Sequence, residues 1–227
     1  PLPAKVSPFH GDLSNRMLAG GYPEALLRKS WLDRRDWFES YLETILTRDV
    51  KDVMNVTSVV DIPRLLTAMA GRAAALLKVS EVARDVGLNQ MTTKRYLALF
   101  QTTFLTRMVP PWFTNRSKRL MKSTKLYIGD TGLLSYLQDL TPERIVADRK
   151  AYGVLLENFV ALELMKQATW GQTRPVFLHY RDYGGTEVDL VLEAPGGRKL
   201  LGIEIKSSAT LHENDFKGLR RLADDAG

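Results

Sequence analysis

The chain has 227 residues, 44% of them hydrophobic and 26% charged, with a net charge of +6 and no cysteine. The missing cysteine excludes disulfides, zinc–thiolate sites and thiol nucleophiles, and it fits a reducing, cytoplasmic setting. No apolar run approaches the roughly 18 residues of a membrane span and no signal-peptide pattern opens the chain, so no membrane partner is expected.

The charge is unevenly spread. Residues 1–150 carry 23 of the 32 Lys and Arg against 15 of the 26 Asp and Glu, whereas residues 151–227 carry 9 against 11. A basic front suits polyphosphate partners such as nucleic acid, and a carboxylate-bearing end suits a cation. Charge alone fits equally well a basic protein that touches no nucleic acid.

Residues 1–11 are rich in Pro and Gly and read as irregular. Gly20, Gly21 and Pro23 make a turn, with Pro23 opening a short helix. From Trp31 to Val50, Phe38, Tyr41, Leu42, Ile45 and Leu46 recur at helical spacing and predict a long amphipathic helix. A second helix is expected from Pro63 to about Leu77, with Leu65, Leu66, Met69 and Ala73 inward. "SEVARDVG" predicts a short helix capped by Ser80 and ended by Gly87. "QMTTKRYLALFQ" is a further helix, and "FLTRMVPP" an edge strand stopped by two prolines.

Helix, short helix, Gly turn, helix and strand is the order of a helix-turn-helix with a wing. Lys94 and Arg95 open its candidate recognition helix, where phosphate or base contacts would come from. Solvated side chains on a packing module are the alternative. Arg116, Lys118, Arg119, Lys122 and Lys125 then place five basic residues in ten. As a loop they could grip phosphates, and as an ordinary solvated face they need no partner. "KLYI" is a strand, and Asp130 and Thr131 are helix-capping residues before "GLLSYL".

The last third predicts an amphipathic helix over Tyr152–Gln167, strands over Pro175–Arg181, Thr186–Glu193 and Lys199–Lys206, and a closing helix from His212. The turns "DYGG" and "APGG" make the strands an antiparallel meander. Strand alternation puts Ile203 and Ile205 on one face and Glu204 and Lys206 on the other. It also puts Val188, Leu190 and Leu192 together, with Asp189 opposite. Asp189 and Glu204 could then hold Mg²⁺, with Lys206 orienting water and Glu157 as a third carboxylate. A surface salt bridge at Glu204 is the plain alternative.

Helix with Glu157, hairpin with Asp189, then Glu204-x-Lys206 and a helix resembles the PD-(D/E)XK restriction-endonuclease-like fold. That resemblance implies Glu157, Asp189, Glu204 and Lys206 as catalytic residues, with Asp189 and Glu204 on the metal. Two features depart from the pattern. Glu187 and Val188 stand where Pro often precedes the first Asp, and the fourth core strand would have to follow Gly227.

The motifs "GGYPEALLR", "YLETILTRDV", "TTKRYLALFQTTFL", "KLYIGDTGLLSYL", "LLENFVALEL" and "EVDLVLE…GIEIKSS" together resemble the C-terminal half of prokaryotic predicted AAA+ superfamily ATPases. No Gly-x4-Gly-Lys-Ser/Thr loop is present, so the resemblance implies ATP bound by an upstream domain outside this chain, and a start at Pro1 fits a fragment. Gly21 and Pro23 resemble a lid segment that approaches adenine. A turn that starts a helix explains them as well. The expected architecture is mixed α+β: a helical lid-like region over 1–60, a winged helix over 61–125, and a nuclease-like helix–three-strand–helix module over 126–227. Its expected partners are nucleic acid and its own ATPase domain, with self-association open.

Overall fold

The computed structural model describes residues 10–53, 61–115, 123–197 and 199–227. The architecture is mixed α+β, with helices around two antiparallel three-stranded sheets. Helix α1 (His10–Ala19) already includes residues 10 and 11, which the sequence suggested were irregular. It is followed by the single turn α2 (Pro23–Leu26) and the long α3 (Trp31–Val53).

The α1–α2 turn is fastened by one buried carboxylate. Asp130 Oδ2 accepts the Gly21 N–H at 2.7 Å, and Oδ1 accepts the Leu133 N–H at 3.0 Å. It thereby caps α7 (Thr131–Leu137) and holds the turn against it. Gly20 has φ +73°, and a Cβ there would lie 2.2 Å from Asp130 Oδ1, so both the conformation and the close approach require glycine. Tyr22, Trp37, Phe38 and Tyr41 stack beside this turn.

Next come α4 (Asp61–Ala70), β1 (Ala75–Leu76), α5 (Val79–Val86), α6 (Gln90–Thr102), β2 (Thr106–Val109) and β3 (Lys125–Ile128). The expected helix to Leu77 stops at Ala70. The alanine-rich run favours helix locally, but Ala74 turns at φ +58° and its N–H reaches Leu126 O at 2.7 Å. Pairing with β3 outweighs propensity there. In α5 Lys78, not Ser80, is the N-cap residue, and Gly87 ends the helix in the left-handed region. The strands lie in the order β1-β3-β2, with Thr106 opposite Ile128 and Val109 opposite Lys125. A boundary at residue 125 therefore falls on the first residue of this sheet's central strand.

After α8 (Pro142–Ala147), helix α9 (Arg149–Trp170) crosses β3. Asn158, fully buried, accepts the Ile128 N–H and donates to the Ile128 carbonyl, each at 2.9 Å. It satisfies both backbone groups that the strand would otherwise bury unpaired. The second sheet runs β4 (Val176–Arg181), β5 (Glu187–Glu193), β6 (Leu200–Ile203), in that spatial order and antiparallel throughout. A 3₁₀ turn over Glu213–Phe216 leads into α10 (Lys217–Ala226). The sheets meet where Trp112 N–H donates to His179 O at 2.6 Å and His179 N–H donates to Pro110 O at 3.0 Å.

Strand β5 does not alternate simply. Leu178 faces Val191 but Tyr180 faces Val188, so Asp189 and Leu190 share the width of one partner residue. The bulge re-aims the chain. Val188 joins Val191, Leu178, Tyr180 and Trp112 in one cluster, while Leu190 and Leu192 pack with Val109, Tyr127 and Ala161 in another. The expectation that Val188, Leu190 and Leu192 share a face is therefore corrected. The largest core lies between the helices and the first sheet, from Met17 and Phe38 through Leu65, Phe100, Leu126 and Ile128 to Leu155.

Candidate functional site

All four residues of β3 are buried. Leu126 and Ile128 enter the main core, so their alternates Lys125 and Tyr127 face the opposite way, toward α9 and β5. Lys125 Nζ lies 2.5 Å from Glu157 Oε1 and 2.9 Å from Asp189 Oδ1, and Tyr127 OH donates to the same Glu157 oxygen at 2.9 Å. Helix α9 supplies Glu157 one residue before the Asn158 clamp, which fixes where that carboxylate sits. The β5 bulge supplies Asp189, whose Oδ2 accepts the Ile205 N–H at 2.9 Å. That side chain stands in for a ladder partner just past the last β5–β6 pair, Leu190 with Ile203.

Burial governs the protonation of this cluster. Desolvation, with the Asp189 charge behind it, pushes Glu157 up to about 7 despite Lys125 and Tyr127. For Lys125 burial acts downward, but the two carboxylates together outweigh it and raise the ammonium above its ordinary range.

Glu204 and Lys206 follow directly on β6, which ends at Ile203 rather than at Lys206. Lys206 Nζ donates to Glu204 Oε1 at 2.6 Å. Desolvation raises the Glu204 carboxyl, with the Asp189 charge adding to it. Lys206 is also raised: burial pulls it down, and its bond to Glu204 and the charges of Glu204 and Asp189 outweigh that. Glu204 Oε2 is buried and has no hydrogen-bond partner within bonding distance among the described residues, although the Asp189 backbone N–H acts to lower this carboxyl. An orphaned carboxylate oxygen beside a second carboxylate is a ligand set that Mg²⁺ accepts, because this ion binds through one or two carboxylates and keeps its waters. Asp189 and Glu204 fit it in that sense. Among the described residues no group of three or more His, Asp or Glu stands close enough to hold a metal. In this arrangement Glu157 is engaged by Lys125.

The other candidate residues lie elsewhere. Lys94 and Arg95 are exposed on the first half of α6, whose N-terminus is capped by Asn89 Oδ1 accepting from Thr92 N at 2.8 Å. Arg116, Lys118, Arg119 and Lys122 lie outside the described residues. Gly21 spends its N–H on Asp130, and Pro23 opens α2 after Tyr22. Lys125, the last of five cations expected from sequence either to grip phosphates or to form a solvated face, is instead 5% exposed and bound to carboxylates. Its role and that of Tyr127 were missed. The available signal was period two in "KLYI", which puts Lys and Tyr together on one face of a strand with no exposed side. Asn158 carried a signal too, as the lone amide on the apolar stripe of "LLENFVALEL".

No helix among the described residues is long and apolar enough to cross a membrane. The chain is 31% identical over 193 residues to uncharacterized proteins of Mycobacterium bovis and Mycobacterium tuberculosis. The match takes in 85% of this chain and 42% of each relative, so the chain spans less than half the length of the curated relatives it matches. No solved structure matches. Residues 152–227, which hold Glu157, Asp189, Glu204 and Lys206, match a second family described as Domain of unknown function (DUF4143). Residues 10–144, the helices and first sheet that deliver Lys125, match Domain of unknown function (DUF8612), and over this larger part the chain belongs to that family.

Proposed function

We propose that this chain is the C-terminal effector region of an AAA+ type ATPase, in which a winged helix over the first sheet grips nucleic acid and a PD-(D/E)XK-like site cuts it with Mg²⁺. The observation that carries this reading is the nearness of Asp189 to Glu204, whose buried Oε2 has no hydrogen-bond partner among the described residues. Such an oxygen is costly to leave unmatched. Asp189 and Glu204 would hold the ion; when bound, it polarises a phosphodiester and makes a bound water more acidic. Lys206, held by Glu204, orients the attacking water and offsets charge developing on the phosphate. Glu157 shapes the field from α9 and lies close enough to neutrality to carry a proton. ATP would be bound by an upstream domain, and Lys94 and Arg95 would meet the phosphate backbone.

Support for the winged helix comes from element order: α4, β1, α5, α6 and the β2–β3 pair, with α6 presenting Lys94 and Arg95 outward. The test is incubation with single- and double-stranded DNA and RNA in Mg²⁺ or Mn²⁺. Metal-dependent cleavage that disappears in Asp189→Ala and in Lys206→Ala is expected.

One observation favours a second reading, a catalytically inactive nucleic-acid-binding or protein-interaction module. Lys125 already supplies a cation to Glu157 and Asp189. Under that reading nucleic acid binds in a salt-dependent, metal-independent way and is not cut.

A further inference from the structure

We infer that Lys125 is a built-in counter-cation that competes with a divalent ion for Asp189 and so sets how tightly the carboxylate site holds metal. This rests on the reading of Asp189 and Glu204 as the metal ligands. Lys125 belongs to the first sheet, outside the strand module that carries those ligands, and reaches across to them. Both Asp189 oxygens are engaged, Oδ1 by the Lys125 ammonium and Oδ2 by the Ile205 N–H. An ion bound at Asp189 therefore shares that carboxylate with a buried positive charge a few ångströms away, or displaces it.

Charge balance sharpens the point. Glu157, Asp189 and Glu204 against Lys125 and Lys206 sum to one negative charge when all are ionised. A divalent ion turns that into an excess positive charge, in a setting where such repulsion is poorly screened. Without Lys125 the same groups sum to two negative charges, which a divalent ion neutralises. Lys206 differs from Lys125 in being about a third exposed and, among the described residues, bonded to Glu204 alone, so it can swing toward solvent or substrate. Lys125, 7% exposed at the side chain and held between two carboxylates, stabilises the metal-free site and weakens the loaded one.

The test compares the whole chain with its Lys125→Met variant, by calorimetric titration with MgCl₂ and by thermal melting with and without Mg²⁺. The expected result is Mg²⁺ binding at least about tenfold tighter in Lys125→Met, with a Mg²⁺-dependent rise in melting temperature larger than in the wild type. Both gains should vanish in Lys125→Met/Asp189→Asn. If Lys125→Met does not fold, Lys125→Met/Glu157→Gln is compared with Glu157→Gln, since this pair removes one carboxylate along with the ammonium. Tighter binding in the former is again expected. Mg²⁺ binding in the Lys125→Met chain no tighter than in the wild type, or in its back-up no tighter than in Glu157→Gln, overturns the inference and leaves the metal site standing. Absence of Mg²⁺ binding from every folded variant overturns the metal site and the inference together.

Discussion

The helices with the first sheet and the strand module with α10 bury polar groups in different ways. In the first region the polar ties are mostly local and uncharged: Thr93 donates to Asn89 O, Ser135 donates to Thr131 O, and a buried carboxylate, Asp130, is satisfied by backbone N–H groups. Where the strand module meets it, the buried groups are ionic and distant in sequence, with Lys125 and Asp189 bonded across 64 positions and Glu157 joining from α9. His179, buried at the same junction, is pushed down to about 4 by desolvation and is neutral. A fold seldom gains stability from buried ion pairs over well-packed apolar residues. Under the proposed function these buried charges serve chemistry rather than stability.

The contrast can be broken most severely at Lys125. In the absence of metal, Lys125→Met leaves two buried carboxylates facing each other and should cost about 3–5 kcal/mol at pH 8, with a smaller loss at pH 6, where Glu157 takes up a proton. Denaturant unfolding at both pH values checks it. Asn158→Ala breaks a neutral tie of the other kind. Stranding the N–H and C=O of Ile128 should cost about 2–4 kcal/mol, equally at pH 6 and pH 8, as chemical denaturation would show.

Glu157→Gln sharpens the comparison. A carboxyl raised to about 7 when folded, against its ordinary 4.5, binds its proton more tightly in the native state. It therefore favours folding at low pH and loses that advantage as pH rises from about 4.5 to about 7. The wild type should lose stability over this window relative to Glu157→Gln, and a pH series of melting temperatures reads the difference. The smallest effect belongs to a surface pair. Arg181→Ala removes a half-exposed bridge to Glu187 and should change stability by less than about 0.5 kcal/mol.

The sequence made much of this architecture legible. Periodicity located α3, α6 and α9, and the Gly-rich turns marked the meander of β4, β5 and β6, because burial of one face writes itself into a chain as a repeat. Asp130 was legible as a cap because its offset to Leu133 is local. What failed was governed by non-local pairing. Alanines 73–75 favour helix by propensity, yet β3 draws Ala75 and Leu76 into a strand. The bulge at Asp189 is invisible in "EVDLVLE", where alternation looks intact. Lys125 read as one of a run of surface cations, since nothing near it in sequence announces the two carboxylates it meets. Glu157, Asp189, Glu204 and Lys206 were recognisable as types in order. How Lys125 divides them required the fold.

The backbone exchange between Pro110, Trp112 and His179 has a consequence for folding and for its measurement. Neither hydrogen bond belongs to the ladder of either sheet, and the partners are joined only after a long loop has closed, an entropically slow step. The Trp112 and His179 amides are thus protected from solvent exchange by the docking of the two regions. Followed by native-state hydrogen exchange, they would give the free energy of that docking separately from global unfolding. A nick or hinge opening between the regions would register there first, while the amides within β5 stayed closed.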